Sequence, residues 1–195
     1  MNPKAITKAE SRLRVCQKAL VALGQCKTYN EFTDVWYTFL TAAKGIYTTL
    51  EQGAKTSPQS RQWFGAKARE RRSDGLLQYV YQARDDEEHG IEPGSELVPG
   101  YTAIGKTAPG FSSKIRVDTG SRGEMHVASL DGKPVLIEQV FPHVQLITVR
   151  GRDGKLYLPP EGHLGQPLED KSPGSVAQLT IAYLIALLEE AKRLA

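Results

Sequence analysis

The run from Val176 to Leu188, interrupted only by Gln178 and Thr180, is apolar around most of a helix. A helix hydrophobic on nearly every side has to be buried by others. Val176, Leu179, Tyr183 and Leu187 form one stripe, with Ile181, Leu184, Ile185 and Leu188 around it. The run falls short of the roughly 20 apolar residues that span a bilayer, so it reads as a core helix with no membrane partner. Its start is marked by Ser172-Pro173 or by Ser175.

What can cover such a helix lies at the other end of the chain. Behind a Thr7–Glu10 capping box, Leu13, Cys16, Leu20 and Leu23 recur at helical spacing, predicting a first helix that stops at Gly24. A second box, Thr28 with Glu31, opens a stripe of Phe32, Trp36, Phe39, Ala43, Ile46 and Leu50, widened by Val35, Leu40 and Tyr47 and ended by Gly53. Ser57-Pro58 caps a third stretch that carries Trp63, Phe64, Leu76, Leu77, Val80 and Tyr81 to about His89. Gly75 marks either a kink in it or a break into two helices. With the final helix these make a bundle of four.

From residue 92 to 112 the Pro/Gly pairs at Pro93, Pro99 and Pro109 punctuate a run without any period, read as a linker or long loop. Beyond Lys114 the pattern becomes that of strands: KIRVD, EMHVASL, PVLIEQVF, VQLITVR and KLYL, with turn signals at Asp131-Gly132 and Asp153-Gly154. An antiparallel sheet of about three to five strands is expected over 113–160. The chain therefore divides into helices one to three (1–91), the linker (92–112), a β insertion (113–160), and a loop with the last bundle helix (161–195). The fold class is α+β, mainly α, a four-helix bundle with an antiparallel β-sheet inserted before its last helix.

At 195 residues such a chain holds one or two domains, and its net charge of +3 selects no class of partner. Cys16 and Cys26, placed on one helix, would sit about 15 Å apart, too far for a disulfide. Free thiols and an N-terminus without an apolar signal region predict a cytoplasmic location.

Phosphate-binding glycine loops, CxxC pairs, HExxH motifs and nucleophile elbows do not occur in the sequence. His126, His143 and His163 lack metal-ligand spacing and read as surface or hydrogen-bonded histidines, so neither a metal nor another cofactor is expected. Lys67, Arg69, Arg71 and Arg72 form a basic turn and a half, either a solvated helix face or a ridge that contacts RNA phosphates.

The remaining chemistry sits in LLQYVYQARDDEEHGI, where an apolar helix face runs into Arg84, four acids and His89. Arginine is a planar, permanently charged clamp for phosphate, and histidine exchanges protons near neutral pH. Together they suffice to cleave RNA without metal. The intervening carboxylates would repel phosphates unless Asp86 and Glu87 point away or pair with basic groups.

An apolar helix ending in arginine, a polar residue, a few further positions and histidine resembles the R-x(4–6)-H motif of the HEPN family, the higher eukaryote and prokaryote nucleotide-binding domains. Arg84 matches the arginine, Asp85 the polar follower and His89 the histidine. The resemblance covers roughly residues 5 to 91 and 173 to 195. It implies a four- to five-helix bundle and a homodimeric, metal-independent endoribonuclease of toxin–antitoxin or phage-defence type. Such an enzyme cleaves RNA by 2′-hydroxyl attack to leave a 2′,3′-cyclic phosphate. Arg84 would then hold the phosphate, His89 would be the acid/base, and Asp85 would orient one of them. An antitoxin or regulatory protein would be a further partner. Five helical positions set Arg84 and His89 about 140° apart, so one site needs the helix to end between them or two copies to meet. The alternatives are a non-catalytic helical dimer that binds a protein partner through the β insertion or long loop, and a β module for nucleic acid on a helical platform.

Overall fold

A computed structural model describes residues 1–90, 93–105 and 108–195, with His89 described by its backbone alone. Among these residues are five helices and ten short strands, an α+β arrangement that is mainly helical. The chain divides into two units, residues 1–96 with 144–195, and residues 97–143.

The first unit holds every helix. α1 (Pro3–Leu23) starts ahead of the expected Thr7–Glu10 box, because Asn2 accepts the Lys4 N–H and Pro3 takes the first helical position. Thr7 instead donates back to the Pro3 carbonyl. Cys26 lies beyond the end of α1, and both cysteines are free thiols, Cys16 buried. Burial pushes the Cys16 thiol up to about 12. α2 (Tyr29–Ala54) opens with the Thr28–Glu31 box complete in both directions. Along it Phe32, Trp36 and Phe39 stack, with ring centroids 6.1 and 5.3 Å apart.

Asp74 breaks the third helical stretch. It closes α3 (Pro58–Ser73) and caps α4 (Gly75–His89), its carboxylate accepting the Leu77 N–H at 2.8 Å. α5 (Pro173–Lys192) is capped by Ser172. It is long and apolar enough to cross a membrane, yet half of it is buried here, packed on α1, α2 and α4.

The strands differ from the single sheet expected over 113–160. They form five separate two-stranded ladders, beginning at residue 95 inside the expected linker and ending at 167. β1 (Ser95–Val98) pairs with β6 (His143–Leu146) where the chain leaves and re-enters the first unit. Within that unit β7 (Val149–Arg150) meets β8 (Leu156–Tyr157) across Asp153-Gly154, where Gly154 takes φ 76°, as the turn signal requires. β9 (Gly162–His163) and β10 (Gln166–Pro167) make a second small hairpin.

In the second unit β2 (Tyr101–Ile104) pairs antiparallel with β5 (Ile137–Val140), and β3 (Ile115–Thr119) with β4 (Met125–Ser129). Asp131-Gly132 does turn the chain, with Gly132 at φ 69°, but the strands on either side of it pair elsewhere. Among the described residues of this unit no apolar side chain is buried.

α1 and α2 come close at Gly53, whose carbonyl accepts the Asn2 N–H and where a Cβ would overlap that of Ala5 on α1. Gly53→Ala gains roughly 1 kcal/mol of helix propensity but forces α1 and α2 apart. We expect a net loss of about 1–2 kcal/mol by urea denaturation; an unchanged or raised stability would mean that the helices do not touch there.

Candidate functional site

The last turns of α4 carry the residues singled out by the motif. Arg84 makes an i,i+4 ion pair with Glu88, and its other terminal nitrogen lies 3.7 Å from Asp85. Its side chain keeps about 20% of its surface exposed. Asp85 is buried, bound directly by Lys44 of α2, with Arg152 at 3.6 Å. Lys44 in turn lies over the Tyr81 ring, 4.3 Å from its centroid. One carboxylate thus collects three cations, from α2, from α4 and from the turn after β7.

Each of the other acids of the run also has a use. Asp86 accepts the Arg150 N–H at 3.1 Å, and Glu87 accepts the Gly94 N–H at 2.9 Å. Tyr79 adds a hydroxyl bond to the Ile147 carbonyl at 2.7 Å. These groups fasten both strand-bearing segments of the first unit to α4. Asp86 and Glu87 thus accept from backbone N–H groups where basic side chains were the expected partners, while Asp85 and Glu88 are the acids of the run that pair with lysine or arginine.

His89 ends α4 by its backbone, and its side chain falls outside the described residues. Because the helix runs through both positions, Arg84 and His89 have Cα directions about 140° apart around the axis. A single copy does not gather the motif on one face.

The basic stretch on α3 separates into different environments. Arg69 and Arg72 are exposed, whereas Lys67 pairs with Glu70 at 3.3 Å and with Glu190 at 2.9 Å. Arg71 corrects the expectation of a phosphate ridge, since it is buried inside the helical unit with 9% of its surface exposed. Its guanidinium carbon stands 3.4 Å from the Tyr81 ring centroid and 5.3 Å from that of Tyr47, so it turns inward to a cation–π contact instead of to solvent.

Around Arg71, four helices contribute one polar group each: Tyr47 of α2, Arg71 of α3, Tyr81 of α4 and Tyr183 of α5. The Arg71 Nε and Nη1 atoms and the Tyr47 and Tyr183 hydroxyls are buried without a hydrogen-bond partner among the described residues. Burial pushes the Tyr47 hydroxyl up, against the opposing pull of Arg71, and pushes Tyr183 up further in concert with Tyr47. Tyr47 lies beside the permanent cation of Arg71, and Tyr183 beside Tyr47 and Glu70. Nothing in the spacing of α3 reveals this knot, because it depends on which tyrosines the other helices bring to Arg71. Among the described residues, no group of three or more His, Cys, Asp or Glu side chains is arranged to hold a metal.

Two outcomes are expected. Lys44→Met alone strips Asp85 of its nearest cation and lowers stability by roughly 2–4 kcal/mol, while Lys44→Met with Asp85→Leu recovers most of the loss in urea denaturation. Equal losses in both proteins would remove Asp85 as the centre of the cluster. In a spectrophotometric titration, Tyr47, Tyr79 and Tyr183, three of the eight tyrosines, ionise only as the fold opens, because burial raises each of them. The folded state keeps those protons while the unfolded chain loses them above about pH 10, so stability falls as pH rises past that point. Reversible ionisation of all the tyrosines in folded protein would contradict this.

The chain matches no protein-family model, no curated protein and no solved structure.

Proposed function

We propose that the protein is a metal-independent endoribonuclease of the HEPN type, acting as a cytoplasmic homodimer in a toxin or defence role. In this reading α1, α2, the α3–α4 pair and α5 are the helices of a HEPN-like bundle. Two copies of the α4 C-terminus meet to form one cleft. The observation that carries the reading is that Asp85 is buried under Lys44 and Asp86 and Glu87 are turned to backbone N–H groups, which leaves Glu88 as the acid that competes with a phosphate for Arg84.

The chemistry follows from the residue types. A base takes the proton of a ribose 2′-hydroxyl, and the 2′-oxygen forms a bond to the adjacent phosphorus. The 5′-oxygen leaves with a proton, giving a 2′,3′-cyclic phosphate and a 5′-hydroxyl. His89 of one copy or the other handles the proton. Arg84 binds the phosphate and steadies the charge that builds on its oxygens. Asp85, fixed by Lys44, positions Arg84. The Glu88 partner is half in solvent, and such an i,i+4 pair is worth only about 0.3–0.5 kcal/mol, so RNA displaces it at little cost.

A second reading, a non-catalytic helical dimer that binds a protein through its β insertion, is favoured by one specific observation. Residues 97–143 bury no apolar side chain among those described, while Tyr101, Met125, Leu130, Ile137 and Phe141 are each at least half exposed. A protein partner, an antitoxin or regulator in the first reading, would cover them.

Purified protein incubated with RNA in EDTA should leave 2′,3′-cyclic phosphate ends. Arg84→Ala and His89→Ala should reduce that cleavage about a hundredfold or more, and Glu88→Gln should raise it by releasing Arg84. Equal cleavage by wild type and His89→Ala excludes the enzyme and leaves the binding reading. A monomer by light scattering excludes the composite cleft.

A further inference from the structure

On the far side of α4 from its motif, the helix begins with a second buried pair that the proposed ribonuclease does not use. Asp74 is 8% exposed, and both its oxygens are engaged. Oδ1 accepts the Leu77 N–H and faces His163 Nδ1 at 3.1 Å, and Oδ2 accepts the Leu164 N–H at 2.6 Å. A carboxylate in this state has no proton to give, so the hydrogen between the two side chains sits on His163 Nδ1. On a neutral ring, that tautomer puts the lone pair on Nε2. Nε2 has no partner among the described residues and is not sealed from solvent.

His163 opens onto a cleft of about 500 Å³ between the β9–β10 hairpin and the start of α5. Leu164, Pro167, Leu168 and Leu179 line it, with Glu169 and Asp170 also on its wall. The volume lies within the range of small-molecule sites, which join apolar surface to a few polar groups, and here Gln166 and Ser175 share the wall with His163.

Leu164 and Gly165, at φ 50° and 80°, are the two central residues of the β9–β10 hairpin, where a two-residue loop calls for positive φ at both. The turn leaves the Leu164 side chain 55% exposed at the cleft, and its N–H is bound by Asp74.

We propose that this cleft is a binding site for a neutral, mainly apolar small molecule carrying one hydroxyl, which donates its proton to His163 Nε2. Asp74 is the positioning residue, since it fixes the tautomer that makes Nε2 an acceptor. The carboxylates of Glu169 and Asp170 disfavour an anion. The apolar body of the ligand rests on Leu168 and Leu179.

The test uses the full chain with leucine methyls and histidine nitrogens labelled for NMR, titrated with 4-ethylphenol, 4-ethylanisole and 4-ethylbenzoate. We expect saturable shifts at Leu164, Leu168 and Leu179 with 4-ethylphenol, at least tenfold weaker binding of the methyl ether, and none of the carboxylate. His163 should show the Nδ1–H tautomer before ligand is added. Leu179→Trp fills the cleft from α5 and should abolish the titration, with the NMR spectrum of the variant showing that the helical unit is still folded. The proposal is overturned by a ring protonated on Nε2 alone, by equal affinity for the phenol and its ether, by shifts confined to other leucines, or by no saturation with the phenol up to its solubility limit.

Discussion

A carboxylate taken out of water must be met by charge or by hydrogen bonds, and Asp85 is where that requirement shapes the molecule most. Lys44 meets it from α2, and Arg84 and Arg152 approach from α4 and from the turn after β7. The same rule runs along the whole of α4. Its N-terminal cap Asp74 receives the backbone of Leu164, and Asp86 and Glu87 at the other end receive those of Arg150 and Gly94. Backbone N–H groups at the ends of such short ladders would otherwise go without partners. A hydrogen bond to a charged acceptor contributes about 1.5–3 kcal/mol, which suits segments too short to hold themselves by sheet pairing. α4 is therefore both a wall of the helical core and the rail on which the strand-bearing segments of the first unit are mounted.

That double use separates two arginines that look alike in sequence. Arg71 is stacked between tyrosines with polar atoms unsatisfied, so any change that exposed it would dismantle the contacts among four helices. Arg84 is held by one buried and one half-exposed carboxylate at the end of its helix. Of the two, Arg84 is the one that keeps a solvent-facing part, about 20% of its side chain.

Features set by neighbours in sequence were legible beforehand. The Thr28–Glu31 box, the Ser57 and Ser172 caps and the stripes of α2 and α5 all depend on residues within one or two turns. The Thr7–Glu10 box failed because an equally local signal, Asn2-Pro3, acted first. Strand segments were recognisable by period but their pairing was not. β2 joins β5 and β1 joins β6 across dozens of residues, and short alternating runs carry no information about register with a distant partner. The site divides in the same way. Arg84, Asp85 and His89 stood out as a local motif, whereas Lys44, Arg152 and the two backbone donors that account for the acids come from other elements. Lys44 offered a faint signal, a lysine beside Ala43 and two positions before Ile46 on a helix that is otherwise buried there.

The unit of residues 97–143 raises a different physical question, because nothing in it resembles a core. Two-stranded ladders are marginal in water, and this unit buries no apolar side chain among its described residues to offset the entropy of ordering them. Its local order rests on turn chemistry such as Asp131, whose carboxyl is held down to about 2 by hydrogen bonds, first from Ser112 and then from Ser129 and the Lys133 backbone. Groups that accept so many bonds at the surface fix a turn but do not fold a domain. Leu130, Ile137 and Phe141 stay in water, so burying them is the main stabilisation still open to this segment. The helical unit, by contrast, holds its elements with a core of its own.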